Sequence, residues 1–441
     1  MVAVNSKYLE VFNAKQFKES VSEPSSSNLY FTYGQAVAWA NEAAPPQANT
    51  SVAAFNEVWA NMQGGKKITG NDIRHVVPRF TWTSNTVYNY YDHMTESKEL
   101  KSTINKFYVV TDSWNVYKCL ANNNGARSTV KPTSIITTSD FQTVDGYVWK
   151  YMYTLTAQEQ ERFTTSTFIP VKTLSIDDGS LQWLVQNNAT SGAIHNLVLT
   201  NFGSGYTANN IYITITGDGQ DANAYAVRNV TTNTISSIVV DNKGIDYTYA
   251  SVTIQAANGS GATARAIISP QGGHGSDPLT ELGGSYLMIN TLIENTESGQ
   301  LSVANDYRQI AIIEDPLVYA SSNVAANSVV SQVIAVTLNG SSNEFIEDEW
   351  AYQGSNLASA TFKGIVVEWD DVNNIIYLSN VEGSSTSDLL IGDTSGAARY
   401  LIAVSTPDLQ PLTGKLLYID NITPIQRAVD QTEDFKIVLS F

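Results

Sequence analysis

Ile194, Leu197, Val198, Leu199, Asn201, Gly203, Tyr206 and Thr207, followed by Ile213-Thr214-Ile215, Gly219, Ala222, Ala224 and Ala226, are answered later in the chain. The second copy reads Ile235, Ile238, Val239, Val240, Asn242, Gly244, Tyr247 and Thr248, then Val252-Thr253-Ile254, Gly259, Ala262, Ala264 and Ala266. A period of about 40 residues marks a repeated structural unit. Each copy alternates apolar and polar residues between glycine and asparagine turns, the pattern of strands with one buried face. Each copy is therefore expected to be a small antiparallel β unit that buries one face against its twin.

Working outward, the same strand texture covers most of the chain. Leu29-Tyr30-Phe31-Thr32-Tyr33-Gly34, Phe107-Tyr108-Val109-Val110, Asn115 to Leu120 and Tyr147 to Tyr153 are strand-like and bounded by turn residues. So are Tyr286 to Ile289, Arg308 to Ile313, Lys415 to Ile419 and Phe435 to Leu439. Residues 331–403 hold short apolar runs punctuated by Gly354, Gly364, Gly383, Gly392 and Gly396. Helical spacing is confined to short pieces: residues 6–20, the stripe Phe55, Val58, Trp59 and Met62 ending at Gly64-Gly65, and 157–163. Ser22 to Ser27 and Ser269 to Gly284 read as linkers. The fold class expected is mainly β with a few short helices, a multi-domain chain with an antiparallel, sandwich-like frame and small inserted β modules.

Composition bounds the function. The chain has 441 residues, with 25 Lys+Arg against 42 Asp+Glu and a net charge of −17. That field repels phosphate backbones and anionic lipid, so neither nucleic acid nor membrane is an expected partner. Lys98, Lys101 and Lys106 form the densest basic stretch, and Glu96 and Glu99 interrupt it. Cys119 is the single cysteine, so no disulfide or cysteine-based zinc site forms within one chain. No secretory leader is read at Met1 to Lys7, and no apolar run approaches the roughly 18 residues of a membrane span.

No motif carries chemistry. Gly217-Asp218-Gly219-Gln220-Asp221-Ala222 matches a dinucleotide fingerprint as a string, but a strand pattern follows it where a helix is required. It is expected to be a turn, and it lacks the ligand spacing of a calcium loop. Glu344, Glu347, Asp348, Glu349, Glu368, Asp370 and Asp371, facing Lys363 alone, are expected to form a solvated acidic face. His75, His93, His195 and His274 show no metal-ligand spacing. Cys119 is expected to be a buried structural thiol. No catalytic, cofactor-binding or metal-ligating residue is assigned.

Three blocks of sequence resemble one family. The first holds Asn28 to Gly34 with Trp39, Val58-Trp59-Ala60-Asn61-Met62, Val76-Val77-Pro78-Arg79-Phe80-Thr81-Trp82, Val116 to Leu120, and Gly146-Tyr147-Val148-Trp149-Lys150-Tyr151. The second is Tyr307-Arg308-Gln309-Ile310 to Ile313 with Asp315-Pro316-Leu317. The third runs from Gly414 through Asp430-Gln431-Thr432-Glu433 to Phe441. Together they resemble the baseplate wedge subunit, the gene-eight product, of T-even-type contractile-tailed bacteriophages.

The resemblance implies a structural subunit of the virion's tail baseplate, assembled in the host bacterial cytoplasm, without enzymatic activity or cofactor. It implies pairing with a second copy and binding to other wedge proteins. Its motif residues are Trp39, Trp59, Pro78, Arg79, Trp82, Tyr147, Trp149, Arg308, Gln309, Asp430, Gln431, Thr432 and Glu433, as structural or interface positions. The domain division that follows gives 1–175 as the N-terminal part of the frame and 176–275 as an inserted two-copy module. Residues 276–330 return to the frame, 331–405 form a second inserted module, and 406–441 complete the frame. The inserted modules are candidates to bind a fibre or peripheral baseplate protein. The rival class is a carbohydrate-binding tail adhesin or depolymerase, which acidic β repeats rich in Tyr and Trp also fit.

Overall fold

The structure, a computed structural model, describes residues 5–22, 27–100, 104–297, 300–303, 306–340, 343–428 and 430–441. The first four residues, most of the polar stretch 22–27, and Lys101 lie outside the described residues. The chain divides into two compact units. One comprises Met1–Gln16, Arg74–Met288 and Val438–Phe441, the other Phe17–Ile73 and Ile289–Ile437. Both are built mainly from antiparallel strands, as expected.

In the first unit, Tyr108–Val110, Asn115–Asn122, Tyr147–Thr154 and Phe141–Gln142 form a four-stranded sheet in that order. Strand side chains alternate between faces. Tyr147, Trp149 and Tyr151 therefore share one face with Tyr117 and Cys119, while Val116, Leu120 and Met152 meet a second core, which Tyr153 also joins because a bulge at Met152 breaks the alternation. Burial on both faces explains why these strands read as nearly unbroken apolar runs. Cys119 is fully buried, and burial pushes its thiol pKa well up. Ala157–Phe163 is the short helix expected, closed by a reciprocal cap between Thr156 and Glu159.

The two repeats, in this same unit, make a single six-stranded sheet. Their middle strands, Ile211–Gly217 and Ala250–Ala256, pair with each other, Thr214 opposite Thr253. The first strand of each copy then pairs with the last strand of the other. Ile194–Ser204 joins Ser260–Ile268, and Thr234–Ile245 joins Gln220–Asn229. The expectation of two separate β units is thus corrected: the copies exchange their first strands about a pseudo-twofold axis.

Tyr206 and Tyr247 show why. The tight turns at 218–219 and 257–259 hold each second and third strand together, while the longer connections through these tyrosines let the first strand cross. Tyr206 lies against Gly203 of its own copy and Gly259 of the other, and Tyr247 lies against Gly244 and Gly219. A Cβ at any of the four would stand 2.4–2.8 Å from the ring. The Tyr206 and Tyr247 hydroxyls then accept from the equivalent backbone groups Ala262 N and Ala222 N at 3.3 and 3.4 Å.

The second unit contains a five-stranded sheet in the order Val329–Ser331, Met62–Ile68, Leu29–Gly34, Asp306–Glu314 and Lys415–Gln426. The helix that carries Val58 and Trp59 spans Val52–Asn61 and is capped by the Ser51 hydroxyl. It stops at Asn61, and Gly64-Gly65 are not its terminator but part of the next strand. They are glycines because neighbours crowd them: a Cβ at Gly65 would meet the Phe31 carbonyl at 2.7 Å, and one at Gly64 the Leu301 side chain at 2.6 Å.

Residues 334–404 close into a six-stranded barrel around Val336, Leu338, Phe345, Val366, Ile376, Leu378, Leu390 and Leu401. Its strands run Ile334–Asn339, Ile375–Gly383, Phe362–Asp370, Trp350–Gln353, Leu389–Gly392 and Ala398–Val404, and the last pairs with the first. Among the described residues no helix is long and apolar enough to cross a membrane.

Candidate functional site

The motif residues fall into two groups, one in each unit. In the second unit they latch loops and the C-terminal strand onto the five-stranded sheet. Trp39 Nε1 donates to the Ile422 carbonyl at 3.1 Å. Gln309 Nε2 donates to Asn421 Oδ1 at 2.8 Å, and Asn421 Nδ2 donates to the Pro46 carbonyl at 3.0 Å. Arg308 is buried and donates to Glu42 and Asp306 at 2.6–2.8 Å and to the Ala36 carbonyl. Trp59 is buried and packs edge-on against Phe55.

The Asp-Gln-Thr-Glu stretch divides. Asp430 and Thr432 are exposed, Gln431 is half-buried, and only Glu433 is buried. Glu433 accepts from Arg427, whose guanidinium is 1% exposed and also donates to Tyr33 Oη, the Ser302 carbonyl and the Asn295 carbonyl. Arg427 was not singled out from sequence, although it stands six residues before Glu433. Burial pushes Tyr33 up to about 12, against the pull of Arg427.

In the first unit, the Pro78 carbonyl accepts from Tyr108 Oη at 2.6 Å. Arg79 donates to the Thr165 carbonyl at 2.9 Å and lies over the Trp114 ring. Trp82 Nε1 donates to Ser128 Oγ at 3.2 Å. Tyr147 stacks on Trp149, and its hydroxyl donates to the Ala126 carbonyl. These positions are occupied in packing and latching. Of the motif set, Asp430 and Thr432 are the exposed members.

Sequence reading missed a chain of buried charge in the first unit. The stretch 269–284, read as a linker, carries a short helix Pro278–Glu281 and buries His274, Leu279, Glu281 and Leu282. Glu281 accepts from Gly275 N and Asp277 N and meets Lys118 Nζ at 2.6 Å, with both side chains buried. Burial pushes Lys118 down to about 8, against the raising effect of Glu281. Beyond it, the His195 and His274 rings stand edge to face with centroids 4.7 Å apart. His195 Nδ1 is 3.5 Å from Asp140 Oδ2, and Lys243 pairs with Asp140 Oδ1. No local spacing signals this cluster, because it draws on five separate segments, around Lys118, Asp140, His195, Lys243 and His274.

The acidic face is partly corrected. Glu349 is turned inward and accepts from Ile346 N, Thr394 N, Ser395 N and Ser395 Oγ at 2.7–2.9 Å, closing a turn of the barrel. Burial raises Glu347, Asp348 and Glu368, reinforced by neighbouring carboxylates. The Asp218 turn is a turn, as expected. Its carboxylate accepts from Thr248 Oγ1, Thr248 N and Tyr249 N, and these bonds lower its pKa to about 2.

No curated protein matches the chain. A family model described as Bacteriophage T4, Gp8 matches residues 2–140, a stretch that holds Trp39, Trp59, Pro78, Arg79 and Trp82. Over those residues the chain matches the gene-eight baseplate wedge family, the same family that its sequence motifs resemble.

Proposed function

We propose that this protein is a structural subunit of a phage tail baseplate wedge and works by assembly, with no catalytic step. The observation that carries this reading is the family match over residues 2–140. The packing of the motif residues supports it, because the polar groups of Trp39, Arg79, Trp82, Arg308, Gln309 and Glu433 are spent holding segments of the chain together. Such a subunit offers broad, pre-formed interfaces to its neighbours. One neighbour is a second copy of this chain, meeting it through an isologous patch, and the others are further wedge proteins. During tail contraction the subunit moves mainly as rigid bodies about those interfaces. The repeat sheet and the barrel are insertions into the frame and reach a fibre or peripheral baseplate protein.

Antibody labelling of intact virions, viewed by electron microscopy, tests the placement: label at the distal end of the tail supports it, and label on the head or along fibres defeats it. Light scattering of the purified chain tests the pairing, for which a monomer at every concentration is the contrary result. One observation favours a second reading, carbohydrate binding. Tyr212, Tyr225 and Tyr249 are 67%, 52% and 63% exposed on the repeat sheet, and Tyr212 stands opposite Tyr225. A glycan screen with Tyr212→Ala as control decides it: sugar binding that the substitution abolishes brings this reading forward.

A further inference from the structure

The buried cluster borders a cavity of about 160 Å³, lined by Asp140, Lys150, Thr190, His195, Lys243 and His274 among others. A water in the liquid occupies about 30 Å³, so the space exceeds a single water. His274 is 3% exposed, and neither of its ring nitrogens has a hydrogen-bond partner. A buried polar group is costly without a partner, so this imidazole calls for a hydrogen-bonding group on the side of the cavity it lines. Lys150 is also buried and donates to the Thr137 carbonyl at 3.2 Å, which leaves its other protons available. With both histidines neutral, Lys150 and Lys243 against Asp140 leave the site with one excess positive charge.

A cation does not fit this charge. Among the described residues no three His, Cys, Asp or Glu side chains are grouped to hold a metal ion. A small oxyanion does fit. It balances the excess charge and accepts from both ammonium groups. In its partly protonated form it also offers a donor and an acceptor, which is what a neutral imidazole requires.

We propose that this cavity binds a small inorganic oxyanion of the phosphate class, held by Lys150, Lys243, His195 and His274. The bound ion ties the loop at Asp140 and the strand that carries Lys150 to the repeat sheet, through His195 and Lys243. It acts as a structural staple of the module, and the inference does not depend on the baseplate reading.

The test uses the full chain, with thermal unfolding followed as inorganic phosphate replaces chloride at constant ionic strength. The expected result is a saturable rise in Tm of roughly 2–4 °C. Phosphorus NMR should show exchange broadening of free phosphate that excess sulfate competes away. Lys150→Met should lose both signals. Lys243→Ala, at a position 37% exposed, should weaken phosphate binding at least tenfold. A Tm response no larger than that to chloride overturns the proposal, and so does one that survives in both variants. Saturable stabilisation by zinc alone, lost in His274→Phe, overturns it in favour of a metal.

Discussion

The repeat sheet at 194–268 and the barrel at 334–404 are both all-β and similar in length, yet they hold themselves together differently. The barrel closes hydrogen bonds around its full circumference and buries its own core. The sheet alternates half-buried and exposed residues along most strands, as in Ile211–Gly217 and Ala250–Ala256. Its fully buried side chains are few, and several of its polar groups bond outside it. Arg265 forms a two-pronged pair with Asp92, Lys243 pairs with Asp140, Asn196 donates to the Leu120 carbonyl, and Ser236 accepts from Asn124 through its carbonyl. Closure makes a module self-sufficient, and an open sheet borrows stability from its surroundings.

The largest test of that contrast is excision. Residues 331–405 expressed alone should melt cooperatively, whereas residues 190–275 alone should not; matching cooperative melts would break the comparison. Within the whole chain, Leu378→Ala in the barrel should cost about 2–5 kcal/mol, since its side chain is fully buried. Hydrogen exchange across 334–404 would read that loss, and protection within about 0.5 kcal/mol of wild type would contradict it. Arg265→Ala should cost about 1 kcal/mol, and exchange should rise in Ser260–Ile268 before the barrel responds.

Acid separates the two more finely. Burial alone would raise Asp92 and Asp140, but Arg265, His195 and Lys243 outweigh it and hold both below the ordinary carboxylate range. The stability they contribute is present above the unfolded value of about 3.9 and is lost as pH falls below it. In the barrel, Glu347, Asp348 and Glu368 are raised, so the sign reverses. Protonation favours the fold as pH falls through their raised values toward about 4. Exchange measured at decreasing pH should therefore show the barrel tightening first, and the sheet loosening only below about pH 4. The reverse order would defeat this account. The smallest effect expected is Tyr212→Ser on the exposed sheet face, within about 0.5 kcal/mol of wild type. A larger loss would show that this face is packed against something in the folded protein.

Much of the architecture was legible because strand periodicity is local. The strands around Tyr108, Tyr117 and Trp149, the helix at 157–163 and the repeat itself all announce themselves within a few residues. Partner choice is not local. Nothing in Ile194 to Ser204 states that it pairs with the other copy; the crossing shows only in how Tyr206 meets Gly259. Gly64-Gly65 misled for a related reason. A glycine needed for close approach looks the same in sequence as one that ends a helix. Of the candidate positions, the motif residues near Trp39 and Gln309 were visible as patterns. Arg427, Lys118 and His274 acquire their meaning only from burial and distant partners.

The pairing of Ile194 with Ile268 has a mechanical consequence. The repeat sheet begins and ends on adjacent, oppositely directed strands, so the chain leaves it beside the point where it came in. Tension applied through those two ends would unzip the outer strands one rung at a time, where a shearing geometry would load all the rungs at once. The same geometry puts the flanking residues side by side, Ser269 N donating to the Ala193 carbonyl at 2.9 Å, so a short turn joining Ala193 to Ser269 would span the gap left by removing the sheet.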